Sequence, residues 1–164
     1  MVKAEQGSLR RFLRGLCGGD SFRADDIAQE ALLKAYLSFE RFEGRARFST
    51  WLFRIAYNCW YDHVHKTEYM GSTSLDEGKE SAGKNPYTIA DDTSEADRFF
   101  EHQQLYEAIG SLSRLEQAVV LLFYMEDKTI KEIQTITGMP SGTIRSHLSR
   151  GRRHLKEYLL QKGI

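Results

Sequence analysis

Residues 67–97 decide how this chain can be organised. The stretch holds Gly71, Gly78, Gly83 and Pro86 among many Ser, Thr and Asp, with few large apolar side chains. Such a composition buries too little surface to offset the entropy of ordering it, so it reads as a flexible linker. What remains is residues 8–66 and 98–160, each with helical periodicity and each able to bury only a modest core. Two prolines in 164 residues, and no sustained apolar–polar alternation, favour helix over sheet. The expected fold class is therefore all-α: two small helical domains, over 1–67 and 98–164, joined by a flexible acidic linker over 68–97.

A net charge of zero hides a strong pattern. Glu68, Asp76, Glu77, Glu80, Asp91, Asp92, Glu95 and Asp97 face only Lys79 and Lys84, so this spacer carries minus six and the rest of the chain plus six. The positive charge concentrates in Arg41–Lys66 and Lys131–Lys156. Two basic segments about an acidic spacer suggest two contacts with one polyanion, although solvated helix faces would carry charge in the same way. No run of eighteen apolar residues and no signal-peptide pattern is present, so a cytoplasmic location without membrane insertion is expected. Cys17 and Cys59 are far apart and read as idle thiols in a reducing compartment.

In Ala24–Phe39, Ile27, Ala28, Ala31, Leu32, Ala35, Tyr36 and Phe39 form one apolar helix face. A second stripe, Asp26, Gln29, Glu30, Leu33 and Leu37, points elsewhere. It mixes acids with leucines, as a helix-docking surface does, and as a charged solvent face with two stray leucines also would. The next helix is expected to begin near Ser49 as N-cap, with Phe48 stapled onto Phe53. Leu52, Ile55, Ala56 and Cys59 form its inner stripe. Phe48, Trp51, Tyr57, Trp60 and Tyr61 interleave with Arg45, Arg47, Arg54, His63, His65 and Lys66. Cations beside stackable rings suit single-stranded DNA, whereas an aromatic stripe at helical spacing also suits a core.

The C-terminal part has the most specific local signal. Ser113-Arg114-Leu115-Glu116 and Thr129-Ile130-Lys131-Glu132 are capping boxes, each opening a helix. Val119, Leu122 and Phe123 face inward on the first, and Ile130, Ile133 and Ile136 on the second. Gly138 ends the second helix, Met139-Pro140 turns the chain, and Ser141 is expected to cap a third helix with Ile144, Leu148, Leu155 and Leu159 inward. Arg145, Ser146, Ser149, Arg150, Arg152 and Arg153 then face outward. A short helix, a glycine turn and a helix with a basic outer face make a helix-turn-helix. Arg145, Ser146, Ser149 and Arg150 suit base edges, where arginine pairs with guanine, while Arg152, Arg153 and Lys156 suit phosphates.

These blocks carry a resemblance. Asp25-Asp26-Ile27-Ala28-Gln29-Glu30, Lys34-Ala35-Tyr36, Phe42-Glu43-Gly44 and Phe48-Ser49-Thr50-Trp51-Leu52-Phe53-Arg54-Ile55-Ala56-Tyr57-Asn58 resemble region two of extracytoplasmic-function sigma factors. Gly142-Thr143-Ile144-Arg145-Ser146-His147-Leu148-Ser149-Arg150-Gly151-Arg152 resembles the recognition helix of their region four. The resemblance implies an RNA polymerase sigma factor that binds core polymerase, recognises the minus-thirty-five and minus-ten promoter elements and promotes melting. It implies that Asp26, Gln29, Glu30, Leu33 and Leu37 dock on the coiled coil of the polymerase's largest subunit. Phe42 and Asn58 match a pocket for a base flipped from the non-template strand, beside Arg45, Phe48, Trp51 and Arg54 on the minus-ten element. Thr143, with the outward residues from Arg145 to Arg153, would read the minus-thirty-five element. Promoter DNA, core polymerase and an anti-sigma factor are the implied partners. The family's first helix is usually longer than Met1–Ser8 allows, with Gly7 breaking it, so truncation there or a start further upstream is expected.

Other classes fit less well. A helix-turn-helix regulator of the response-regulator kind needs a buried parallel sheet, and residues 1–66 hold no continuous Val/Ile run for one. A DNA-cutting enzyme needs an activated nucleophile or a carboxylate cluster, and His63, His65, His102, His147 and His154 lack metal-ligand spacing. No catalytic residue, metal or cofactor is therefore expected. A protein-interaction module without DNA contact leaves Arg145–Arg153 unexplained.

Overall fold

The computed structural model describes residues 2–70 and 103–163, and every regular element among them is helical. The expected linker lies outside the described residues apart from 68–70, which continue a helix. In the first unit, α1 (Val2–Leu16) runs unbroken through Gly7, which corrects the expected break there. The helix survives because Leu9, Phe12, Leu13 and Leu16 are all buried on one face, and that packing outweighs the roughly 1 kcal/mol a glycine costs. Gly18 and Gly19, at φ +65 and +91, turn the chain into α2 (Ser21–Ser38). Asp20 caps α2, its carboxylate accepting the Arg23 N–H at 3.1 Å.

Ala24, Ala28, Ala31 and Ala35 give α2 a face of small side chains about Ile27, which lets α1 and α3 (Phe48–Met70) approach closely. From α3, Leu52, Phe53, Ala56 and Cys59 complete this core, with the rings of Phe12 and Phe53 5.2 Å apart. Helix α3 starts two residues before a Ser49 cap would place it: the Trp51 N–H donates to the Arg47 carbonyl. Ser49 is not its cap but accepts a bond from Lys128. Phe48 packs against Trp51, Phe39 and Phe42.

The second unit holds α4 (described over 103–110), α5 (Arg114–Val120), a π-helical turn (Leu121–Met125), α6 (Ile130–Thr137) and α7 (Ser141–Lys162). Both capping boxes form, on Ser113 and Glu116 and on Thr129 and Glu132. Gly138 takes φ +77 at the end of α6, and Pro140 rather than Ser141 occupies the N-cap of α7. Ile109, Val119, Leu122, Ile133, Ile136, Ile144 and Leu148 fill the core. At Gly151 helix α7 crosses α5 so closely that a Cβ would lie 2.8 Å from Val120 Cγ2. A single buried cluster includes residues of both units, because α1 packs on α5 and the π-turn while α6 packs on α3.

Candidate polymerase and nucleic-acid interfaces

Three surfaces carry the residues singled out above. On α2, Asp26, Gln29, Leu33 and Leu37 face solvent and Glu30 is half-buried. Leu33 and Leu37 are 59% and 72% exposed, which is unusual for leucines on a helix whose opposite face is closed. Two further residues belong here. Phe22 is 59% exposed and Tyr36, placed inward by periodicity, is 80% exposed. Tyr36 lies three residues from Leu33, so helical spacing could have assigned it to the outer stripe. Phe39 leaves the helix for a 3₁₀ turn (Phe39–Arg41) and is likewise half-exposed rather than core. Glu30 bonds His63 Nε2 at 2.7 Å and Lys34 at 3.1 Å, tying α2 to α3. These bonds hold its carboxyl below the usual range, the His63 bond contributing most.

The second surface is an aromatic cluster at the start of α3. Phe42 sits 5.0 Å from the Trp51 ring and 5.9 Å from Phe48, and Phe39 packs on all three. Phe39 was not foreseen as a member. Arg54 and Asn58 are exposed and follow Trp51 at +3 and +7, so they extend the cluster along one face for about 10 Å. Arg45 is exposed and bonded to Glu43 at 2.8 Å. Tyr57 and Trp60 are buried and Phe53 is wholly so, which makes them core residues and not stacking surfaces. Tyr61, by contrast, is open and meets the His65 ring edge-on, centroids 4.1 Å apart.

The third surface is the outer face of α7. Thr143, Arg145, Ser146, Ser149, Arg150, Arg152 and Arg153 are all exposed. Arg145, Ser146, Ser149 and Arg150 line a shallow open depression. Arg150 rests on its own helix, donating to the Ser146 carbonyl and to His147 Nδ1, both at 3.4 Å. Burial and the Arg150 charge push the His147 pKa down. Behind this face, Glu116 is buried and bonds His154 Nδ1 at 3.0 Å. Burial alone would raise its carboxyl; the bonds from His154 and the Ser113 N–H outweigh that and lower it. Sequence spacing gave no hint of this pair, since its members lie on different helices.

Among the described residues, no group of three or more His, Cys, Asp or Glu is placed to hold a metal, and no helix is long and apolar enough to cross a membrane. A short capped helix, a left-handed glycine and a long helix with a guanidinium-rich open face define a helix-turn-helix protein of the DNA-binding kind. Comparison with known proteins makes this particular. Residues 1–68 match Sigma-70 region 2 and residues 102–155 match Sigma-70, region 4. The ECF RNA polymerase sigma factor SigW of Bacillus subtilis (strain 168) is 30% identical over 147 residues, spanning 86% of this chain and 78% of that one. The ECF RNA polymerase sigma-E factor of Escherichia coli (strain K12) is 32% identical over 137 residues, spanning 77% and 69%. In solved structures, the sigma factor RpoE in complex with the anti-sigma factor NepR from Bartonella quintana superposes with a TM-score of 0.79 at 25% identity, covering 96% of this chain and 93% of that one. The chain belongs to the extracytoplasmic-function family of sigma-70 factors and is an RNA polymerase sigma factor.

Proposed function

We propose that the three surfaces divide the work of promoter recognition among the positions assigned above. The outer stripe of α2 docks on the coiled coil of the polymerase's largest subunit, Leu33 and Leu37 supplying apolar contact and Asp26, Gln29 and Glu30 polar register. The observation that carries this is the pair of leucines left open on a helix whose inner face is closed. A polymerase partner accounts for an apolar face of that kind better than solvent does.

On the minus-ten element, Phe42 and Trp51 form a stacking wall for one extruded base, and the Asn58 amide, both donor and acceptor, pairs with its edge. Phe48, Arg45 and Arg54 hold the neighbouring strand. Extrusion costs a few kcal/mol, which stacking and the amide bonds must offset. Only an unpaired base can enter, so capture of that base and opening of the duplex are one event. On the minus-thirty-five element, α7 enters the major groove. Arg150 leaves its contacts with Ser146 and His147 to reach a base edge beside Thr143, Arg145, Ser146 and Ser149, while Arg152 and Arg153 meet phosphates. Region two then corresponds to residues 1–67, the acidic spacer to 68–97 and region four to 98–164. The protein acts in the cytoplasm by binding, without catalysis, and an anti-sigma factor holds it inactive, as NepR is bound to the Bartonella quintana relative.

Run-off transcription with core polymerase and a randomised promoter pool tests the division. Arg150→Ala is expected to relax preference at one or two minus-thirty-five positions, at about 1–3 kcal/mol, while Arg153→Ala weakens all sequences and lowers the salt slope by about one. Identical sequence profiles for wild type and Arg150→Ala would remove Arg150 from base readout.

A further inference from the structure

Two ring side chains, Tyr61 and His65, have no part in the surfaces assigned above, yet they share a strip of α3 with the residues of the base pocket. Trp51, Arg54, Asn58, Tyr61 and His65 follow one another at steps of three or four, so they run along one helix face for about 21 Å. Tyr61 stands ~4.5 Å beyond Asn58 along the axis, and His65 ~10.5 Å beyond it. Trp51 is half-buried at the cluster end of the strip, and the other four are exposed.

The Tyr61 ring is held in place from two directions. Tyr57 lies 6.1 Å away with its ring within 30° of parallel. Tyr57 is buried and packs in turn on buried Trp60 at 5.7 Å, so three rings lead from the core to the surface. His65, one turn on, braces the Tyr61 ring edge-on. The residue nevertheless stays 42% exposed. A cleft of about 210 Å³, lined also by Arg114 and Leu115 of α5, opens beside the two rings and leaves room over them. A lone exposed tyrosine says little. One whose ring is already ordered, on a strip that also carries a guanidinium and an amide, suits a nucleobase, since stacking there immobilises little on the protein side.

Base capture creates the need for such a ring. Extruding one base ends its stacking on both neighbours, so each neighbour is left with one bare face. The ~4.5 Å step from Asn58 to Tyr61 exceeds the ~3.4 Å rise between stacked bases, so a neighbour that follows the strip is drawn out of its own stack. A ring face at that point replaces the partner it has lost.

We propose that Tyr61 is a second stacking position for the unpaired strand, taking the nucleotide next to the captured base, and that His65 is a positioning residue that steadies the Tyr61 ring. The proposal deepens the base capture put forward above and rests on it. Tyr61 does not choose among the four bases, because every base offers a π-face to a ring. Selection stays with Asn58, and Tyr61 adds retention of the strand once it is open.

Holoenzyme bound to a forked promoter, double-stranded upstream and single-stranded through the minus-ten element, tests this by abasic scanning. Each non-template nucleotide of the element is made abasic in turn, and affinity is measured for wild type, Tyr61→Ala, Tyr61→Phe, His65→Ala, Phe42→Ala and Asn58→Ala. Circular dichroism and melting confirm that each variant folds. Stacking on one ring is worth roughly five- to 150-fold, so Tyr61→Ala is expected to lose about tenfold on the intact strand. That loss should vanish at one abasic position alone, directly beside the position at which Asn58→Ala falls silent. Tyr61→Phe should match wild type, and exchanging the base at the Tyr61 position should change the Tyr61→Ala loss by less than about threefold. His65→Ala should lose about threefold, the weight of one aromatic contact, and nothing when Tyr61 is already alanine. No loss in Tyr61→Ala, or a loss that persists at every abasic position, overturns the stacking position. So does a Tyr61→Phe variant as weak as Tyr61→Ala, or a loss that vanishes at the captured base itself. A further loss from His65→Ala on top of Tyr61→Ala overturns the positioning role. If Phe42→Ala and Asn58→Ala couple to no position while Tyr61→Ala couples to one, the base pocket fails and the Tyr61 contact with the strand stands.

Discussion

Replacing Leu33 and Leu37 of α2 by alanine separates a docking surface from an accidental one. Burying a whole leucine side chain contributes about 1.5–3 kcal/mol. The two side chains are 59% and 72% exposed, so a partner can still cover most of each. Scaled by those fractions, each leucine offers about 1–2 kcal/mol and the pair about 2–4 kcal/mol. At ~1.4 kcal/mol per factor of ten, core polymerase affinity should fall roughly 30- to 700-fold in the double variant. Fold stability should change by no more than ~0.5 kcal/mol, because alanine is a good helix former and little buried area is lost. Anisotropy of labelled protein titrated with core enzyme gives the first quantity, and thermal melting the second. Ala31→Glu, on the buried face of the same helix, is the contrasting control and should unfold the unit. The reasoning is refuted if the double variant binds with wild-type affinity, or if its stability drops by the 2–5 kcal/mol of a core leucine.

Three further outcomes are expected. Phe42→Ala and Asn58→Ala should lower promoter opening by one to two orders of magnitude, the weight of about 1–3 kcal/mol of stacking; permanganate footprinting reads this, and failure of a pre-melted bubble to rescue either folded variant contradicts the base pocket. Gly151→Val sets a side chain against Val120 where a Cβ alone would stand at 2.8 Å, so it should destabilise the second unit by about 1–3 kcal/mol and weaken minus-thirty-five binding as α7 shifts; a wild-type melting curve would refute the close crossing. Glu116 has a lowered pKa, so its contribution is complete above the ordinary carboxyl value of about 4.3 and is lost as pH falls through the folded value. The stability difference between wild type and Glu116→Gln should therefore be present in urea titrations at neutral pH and shrink on acidification below that value. A difference that grows in acid would reverse the assignment.

The parts of this fold that were legible in the sequence are those specified locally. The capping boxes at Ser113 and Thr129, the left-handed Gly138 and the buried Ile144 and Leu148 of α7 are each written within a few residues, and each forms, whereas Leu155 and Leu159 further along are only half-buried. Periodicity misplaced Tyr36 and Phe39 because an apolar side chain at helical spacing looks the same whether it faces a core or an absent partner. It also allowed Gly7 to break a helix that burial of Leu9, Phe12 and Leu13 sustains. Trp51, Arg54 and Asn58 were found one by one, but Phe39 joined their cluster only through the turn after α2. The contact between units left no trace in sequence: Arg11 and Glu126 are 115 positions apart, and nothing local announces a π-turn.

The uncovered side of α2 also governs how this subunit behaves when alone. Phe22, Leu33, Tyr36 and Leu37 present a sticky strip on a small body. Concentrated without a partner, molecules carrying such a strip tend to self-associate. Under the docking role proposed above, solubility and exchange are two aspects of one surface: a strip apolar enough to win a place on the polymerase needs a cover whenever that place is taken.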